Sequence, residues 1–170
     1  MRINAPKLFI LLALGLGASA AIADTLPVNK PGLWINRNTS DGQTTEAKLC
    51  MDQASQGRMM QMGMAMSKEM CSSNIIKRTG NIVTVDSVCK VMGSTITSHA
   101  VYTYAGDTGY KGTINSSYSP ALMGKKSDVM TTDSKWAGAC PTGMVPGDII
   151  VPGGMKMHIG KDGRPVMKGK

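Results

Sequence analysis

Hydrophobic and polar residues alternate along most of the chain between residues 32 and 136. The alternation is clearest in Val83-Thr84-Val85 and over residues 100–104, where residues of one type fall on one face of an extended strand. Short turns that contain Gly, such as Ser40-Asp41-Gly42, separate these segments. The pattern predicts about seven strands, at residues 32–39, 43–51, 74–79, 82–89, 95–104, 110–118 and 127–136.

This order of strands and turns is typical of an antiparallel meander that forms a curved sheet or a small barrel. The sequence shows no regular alternation of strands with long amphipathic helices, so a nucleotide-binding α/β fold is disfavoured. We therefore expect a mainly β protein with one short Met-rich helix or loop between the second and third strands.

The segment "GRMMQMGMAMSKEMC" over residues 57–71 contains six methionines and can be interpreted in two ways. As a helix, with Asp52 or Ser55 available as N-cap, it places four methionines on one stripe. Met is flexible and fills irregular gaps, so such a stripe predicts the lining of a core or of an apolar cleft. The candidate lining residues are Met59, Met62, Met66, Met70, Trp34 and Trp136.

The alternative is a soft-metal site, because thioethers suit Cu(I) and related ions such as Ag(I). An extended chain would place every second residue of "MQMGMAM" on one side, and the later "MKMH" would add two thioethers and an imidazole. The candidate metal ligands are Met60, Met62, Met64, Met66, Met155, Met157 and His158. We favour the lining role without a cofactor and keep copper as the alternative.

The N-terminus has the features of a secretory signal peptide, which we assign to residues 1–23. Arg2 and Lys7 accompany a short apolar run, and Ala21-Ile22-Ala23 forms a cleavage site before Asp24. The run is shorter than the roughly 20 residues that a membrane-spanning helix needs. We expect export to the periplasm of a Gram-negative type of cell, with no transmembrane segment after cleavage.

All four cysteines follow the predicted cleavage site, and an even number in an oxidising compartment predicts two disulfides. If Thr79-Gly80-Asn81 forms a hairpin tip, residues whose numbers add up to 160 face each other, as Cys71 and Cys89 do. Our hypothesis among the three connectivities is therefore Cys71 with Cys89 and Cys50 with Cys140.

The length of the chain allows one domain, which we place at residues 24–140. Residues 141–170 are rich in Gly, Pro and Lys, and this composition predicts a flexible basic tail. The formal charge of +8 does not by itself indicate nucleic-acid binding. The basic doublets are short, and residues that could stack on bases are scarce.

A set of landmarks runs in a recognisable order over residues 30–140. They are Lys30-Pro31-Gly32-Leu33-Trp34, Leu49-Cys50-Met51, Met70-Cys71, Arg78-Thr79-Gly80-Asn81, Val88-Cys89-Lys90, Tyr110 and Trp136-x-Gly138-x-Cys140. In this order the sequence resembles the exported bacterial proteins grouped as domain-of-unknown-function family 3617. The resemblance implies a small β-rich periplasmic domain, a Met-rich segment between the first two cysteines, and no established function.

Catalytic chemistry has little support in the sequence. Only His99 and His158 could act as general bases near neutral pH. No Gly-x-Ser-x-Gly, His-Glu-x-x-His or phosphate-binding Gly loop occurs, and the cysteine spacing fits neither a zinc ribbon nor a Cys-x-x-Cys pair. We expect a monomeric, non-catalytic protein that binds a small apolar ligand or an envelope protein, with no nucleic-acid partner.

Overall fold

The computed structural model describes residues 26–167, so the predicted signal peptide lies outside the described residues. This part of the chain forms one helix and ten strands. Their bounds are β1 Gly32–Ser40, β2 Gln43–Met51, α1 Gln53–Met70, β3 Cys71–Thr79, β4 Ile82–Val91, β5 Ser94–Tyr104, β6 Gly109–Leu122, β7 Lys125–Gly138, β8 Asp148–Ile150, β9 Lys156–Ile159 and β10 Pro165–Met167.

All ten strands join one antiparallel sheet in the order β10-β9-β8-β2-β1-β7-β6-β5-β4-β3. Strands β3 to β7 follow each other as consecutive hairpins, which confirms the predicted antiparallel meander. Strands β3 and β10 form the two edges, and no pairing among the described residues joins them. The sheet is therefore open rather than a barrel.

The period of two along each strand gives the sheet two chemically different faces. Trp34, Val83 and Ala100 lie on the inner face, which carries the helix, and each is at most 5% exposed. On the outer face, neighbouring strands present charged pairs such as Arg37 and Glu46, whose side chains form an exposed ion pair. The inner face therefore contributes most of the core.

Helix α1 crosses the inner face and confirms the helical interpretation of the Met-rich segment. It contacts β2 and β9 as well as β3 and β4. A helix of 18 residues is about 27 Å long. Six strand-to-strand spacings of about 4.8 Å separate β2 from β3, a distance of roughly 29 Å across the sheet. The helix is therefore long enough to cross nearly from one of these strands to the other. No helix within residues 26–167 has the length and apolar character that crossing a membrane requires.

The start of α1 is fixed by a reciprocal cap. The Ser55 N–H donates to Asp52 Oδ1 at 2.7 Å, and the Asp52 N–H donates to the Ser55 hydroxyl oxygen at 2.9 Å. The bond from the Ser55 N–H lowers the pKa of Asp52 below its usual value. Of the two predicted cap residues, Asp52 is thus the N-cap and Ser55 is its partner.

Both predicted disulfides are confirmed, as Cys71–Cys89 and Cys50–Cys140. The predicted hairpin register is one residue out, because Thr79 lies opposite Ile82. A bulge between Cys71 and Ser73 absorbs one residue and brings Cys71 back opposite Cys89. The pairing is therefore correct, although the register from which it was inferred does not hold along the strand.

Three short strands stand where the sequence predicts a flexible tail. Strand β8 pairs with the free edge of β2, with Ile149 opposite Leu49, and β9 and β10 add outside it. Ile159 in β9 is only 2% exposed. The Gly and Pro content of this segment does not reveal that β2 offers an unpaired edge for it to cover. The sheet therefore continues past the predicted boundary at Cys140.

Candidate ligand-binding cleft

A cavity of about 550 Å³ lies between the inner face of the sheet and the N-terminal half of α1. Residues 26–29 close a further side of it. Its volume falls within the range of roughly 300–1,000 Å³ that is usual for small-molecule sites. The lining residues are Leu26, Pro27, Val28, Asn29, Trp34, Asn36, Leu49, Met51, Gln53, Gln56, Gly57, Met59, Met60, Tyr104, Tyr110 and Ser134.

An aromatic cluster forms the floor of this cleft. The Trp34 and Tyr110 rings stack with their centroids 6.4 Å apart, and the Tyr104 ring lies 5.1 Å from Tyr110. Tyr102 meets Tyr110 edge-on at 6.0 Å and lies over Gly112 on the next strand. A Cβ at Gly112 would come within 2.4 Å of the Tyr102 ring, so Gly at this position lets the tyrosines pack together.

Two tyrosines of the cluster, Tyr102 and Tyr104, have a raised pKa. The pKa of Tyr104 is raised to about 12, mainly by burial and also by Tyr110 and Tyr102, whereas Arg78 opposes the change. Burial, followed by the influence of Tyr110, also raises the pKa of Tyr102. The Tyr104 hydroxyl therefore presents no negative charge to the cleft at neutral pH.

The segment before β1 is held against the helix by a side-chain amide. The Asn29 N–H donates to Gln56 Oε1 at 3.0 Å, and Gln56 Nε2 donates to the Asn29 carbonyl oxygen at 2.8 Å. Lys30 continues the attachment, because its N–H donates to the Asp107 carbonyl and its ammonium lies 4.1 Å from the centre of the Trp136 ring. These contacts make residues 26–29 a wall of the cleft.

A short row of polar side chains crosses the floor beside the aromatic cluster. Asn36, Ser134 and Tyr110 are cross-strand neighbours on β1, β7 and β6. The Thr132 hydroxyl donates to Asn36 Oδ1 at 2.9 Å. Ser134 is only 3% exposed, and no described residue forms a hydrogen bond with its hydroxyl. The residues that line the cleft include no Asp, Glu, Lys or Arg.

The cleft contains only part of the predicted lining. Trp34 and Met59 line it, together with Met60, which the sequence assigned to the metal alternative. Met62, Met66, Met70 and Trp136 are not among the lining residues. Met66 is 52% exposed and Met70 is 38% exposed, because the C-terminal half of the helix leaves the apolar stripe largely in solvent. The Trp136 indole instead donates to the Pro31 carbonyl.

The candidate metal ligands do not form the predicted one-sided array. On a helix Met60 and Met64 fall on one side and Met62 and Met66 on another, whereas an extended chain would have aligned all four. Met157 and His158 are adjacent in β9, so their side chains point to opposite faces of the sheet. Met155 precedes β9 and is 49% exposed. Among the described residues, no group of three or more His, Cys, Asp or Glu side chains could hold a metal ion.

The two candidate general bases contact carboxylates outside the cleft. His158 Nδ1 lies 2.8 Å from Oδ1 of the buried Asp148, whose Oδ2 lies 3.0 Å from Lys156 Nζ. His99 Nδ1 lies 2.6 Å from Asp86 Oδ1 on exposed parts of β4 and β5. The carboxylate of Asp148, which the sequence did not single out, fastens β8 to β9.

The fold and the cleft together define a disulfide-bonded antiparallel β-sheet protein with an apolar cleft beneath α1. Residues 29–140 match the profile of the family described as Protein of unknown function (DUF3617), and the chain belongs to this family. The match includes all four cysteines, α1 and β1 to β7, whereas β8 to β10 lie beyond it. No curated protein and no solved structure matches the chain.

Proposed function

We propose that the protein is a non-catalytic binding protein that holds a small apolar ligand in the cleft beneath α1. The cavity of about 550 Å³ carries this proposal, because Trp34, Leu49, Met51 and the tyrosine floor surround it with apolar surface. Concave apolar sites with a few polar groups are the usual setting for small-molecule binding. Filling the cavity would remove apolar surface from water on both the protein and the ligand, which favours association.

We infer that this binding takes place in the periplasm. Two disulfides bind all four cysteines, and such bonds persist in exported proteins rather than in the reducing cytosol. The signal-peptide pattern over residues 1–23 supports the same location. Recovery of the mature chain, starting near Asp24, from a periplasmic extract would test it by N-terminal sequencing.

A non-catalytic role agrees with the position of the two histidines. His158 is bonded to Asp148 within the β8–β9 hairpin. Neither of these residues lines the cleft, and His99 does not line it either. Catalysis of acyl or phosphoryl transfer would need a nucleophile, a base and a site for the developing charge in one place. The cleft itself offers hydroxyl, amide, thioether and aromatic groups, which suit binding better than proton transfer at neutral pH.

The experiment that tests the proposal fills the cleft from the helix. Gly57 lines the cavity, and a Cβ at this position would meet no atom within 4 Å, so Gly57→Phe places a ring in the empty space. Gly63→Phe is the matched control, because a Cβ there also meets nothing, while Gly63 does not line the cavity. We expect Gly57→Phe to weaken binding of the neutral dye N-phenylnaphthylamine by about tenfold or more, equivalent to about 1.4 kcal/mol.

Equal dye affinity in the two variants would contradict the proposal, as would an absence of dye binding by the parent protein. Thermal unfolding of both variants shows that each is folded before affinity is compared. Native mass spectrometry of protein purified from the periplasm provides the direct complement, because a retained ligand adds its own mass to the chain.

A methionine-based Cu(I) or Ag(I) site is the second candidate function. The observation in its favour is the exposure of three methionines on α1, Met60, Met64 and Met66, at 45%, 52% and 52%. Cu(I) titration of the parent and of a variant with Leu at positions 60, 62, 64 and 66 distinguishes the two functions. Equally weak Cu(I) binding by both proteins excludes this candidate.

A further inference from the structure

We propose that the ligand is an uncharged amphiphile, with an apolar body against the aromatic floor and a hydroxyl or primary amide group at Ser134. The inference rests on the proposed function and goes further by naming the chemical class of the ligand. It excludes fatty acids in their ionised form and alkyl ammonium ions, although both have apolar bodies that the cleft would accept.

Ser134 supplies the first observation. Its side chain lines the cavity, the residue is 97% buried, as its 3% exposure shows, and none of the residues from 26 to 167 bonds to its hydroxyl. A hydroxyl at the wall of an apolar cavity gains from a hydrogen-bond partner inside it, because leaving the group unpaired away from bulk water is unfavourable. A ligand group that can both donate to and accept from this hydroxyl would satisfy it.

Asn36 and Asn29 provide a second and a third polar contact in the same cleft. Thr132 occupies Asn36 Oδ1, and no described residue bonds to Asn36 Nδ2, so its amide hydrogens are available as donors. Asn29 also lines the cavity, and its Oδ1 is buried without a partner among the described residues. Donors and acceptors therefore occur together, which matches a hydroxyl or primary amide better than a group that only accepts or only donates.

The electrostatics of the cleft disfavour a charged ligand of either sign. An ionised group that leaves water needs a counter-charge or several hydrogen bonds, and no Asp, Glu, Lys or Arg lines the cavity. The partial positive charge at the start of α1 would attract an anion, but the carboxylate of Asp52 already occupies it. Two basic residues, Lys30 and Arg58, are next to lining residues in the chain, but neither lines the cavity itself. The Lys30 ammonium lies over the Trp136 ring, and Arg58 lies close enough to Asp52 to lower the pKa of that carboxyl.

Displacement of N-phenylnaphthylamine by ligands of equal chain length tests the inference, because only the polar group varies. We expect decanol and decanamide to displace the dye at neutral pH, and decanoate and decylammonium to be at least about tenfold weaker, which corresponds to about 1.4 kcal/mol. Decanoate that binds as tightly as decanol overturns the inference and leaves the proposed function intact. Failure of the dye and of the whole series to bind overturns both.

Substitution of Ser134 tests the assignment of the hydroxyl. We expect Ser134→Ala to weaken decanol by about three- to tenfold, in line with the loss of one neutral hydrogen bond, and to keep the affinity for the dye within about twofold. Ser98→Ala is the matched control, since the Ser98 hydroxyl pairs with Ser116 away from the cleft. Unchanged affinity of Ser134→Ala for decanol overturns the assignment.

Discussion

Removal of the two disulfides one at a time should destabilise the protein by different amounts, because the bonds close loops of different length. Cys50 and Cys140 are 90 residues apart, whereas Cys71 and Cys89 are 18 apart. In the loop-entropy model the longer loop contributes about 4.6 kcal/mol to the free energy of unfolding and the shorter about 3.2 kcal/mol. Single domains unfold with about 5–15 kcal/mol, so the loss of Cys50–Cys140 removes a large share of the stability.

The surroundings of the two bonds widen this difference. Cys50 is fully buried, so its replacement by Ala also removes packing, whereas Cys71 and Cys89 are half-buried next to the edge of the sheet. Moreover, Cys71 and Cys89 face each other in a hairpin whose ladder of hydrogen bonds already holds the two strands together. We therefore expect the Cys50→Ala/Cys140→Ala variant to lose at least about 1.4 kcal/mol more than Cys71→Ala/Cys89→Ala.

Denaturant unfolding of the two double variants, followed by far-ultraviolet circular dichroism, measures both losses. The parent protein in strong reductant is the control, because it keeps all four sulfur atoms and so separates the lost cross-links from the lost packing. Equal losses in the two variants, or a larger loss from Cys71–Cys89, would show that loop length does not determine the contribution of these bonds.

Three further predictions concern the helix, the aromatic floor and the terminal hairpin. Asp52→Ala should lower the free energy of unfolding by about 1 kcal/mol because it removes the N-cap, and Asp52→Ser should restore most of it. Tyr104 should ionise near pH 12 in an absorbance titration, and stability should fall as pH rises from about 10 to about 12, because the unfolded chain releases this proton first. Asp148→Ala should lower the free energy of unfolding by about 2 kcal/mol, since it removes the contacts of a buried carboxylate with Lys156 and His158, while the exposed Asp162→Ala should leave it within about 0.5 kcal/mol.

Features that depend on neighbouring residues could be predicted from the sequence. The seven strands β1 to β7 follow from period-two alternation and turn residues, which act within ten residues or so. The helix follows from the Met stripe and from Asp52, a residue whose side chain bonds only three positions ahead. The register of the β3–β4 hairpin was harder to predict from the sequence. It includes a bulge at Ser72, which depends on the Cys71–Cys89 disulfide and on the position of the chain that leads into β3.

Features that depend on residues distant in sequence could not be predicted from the sequence in the same way. Strands β8 to β10 form because β2 has a free edge, a fact that the composition of residues 141–167 does not contain. The position of Ser134 in the cleft could not be predicted either, because it depends on the neighbours of this serine on β1 and β6. The uncharged lining of the cleft is partly visible in the sequence, since the segments 26–29 and 53–57 contain no Asp, Glu, Lys or Arg.

The disulfide between β2 and the end of β7 connects the stability of the fold to the shape of the cleft. Leu49 and Met51 line the cavity on either side of Cys50, whose own side chain points to the opposite face of the sheet. The bond to Cys140 therefore fixes the backbone behind this wall without occupying the cleft. Because this wall is held covalently, the space between its apolar residues and the helix can remain empty. In a core held by packing alone, the surrounding side chains would tend to fill such a space. The same disulfide therefore both stabilises the fold and keeps the cleft open.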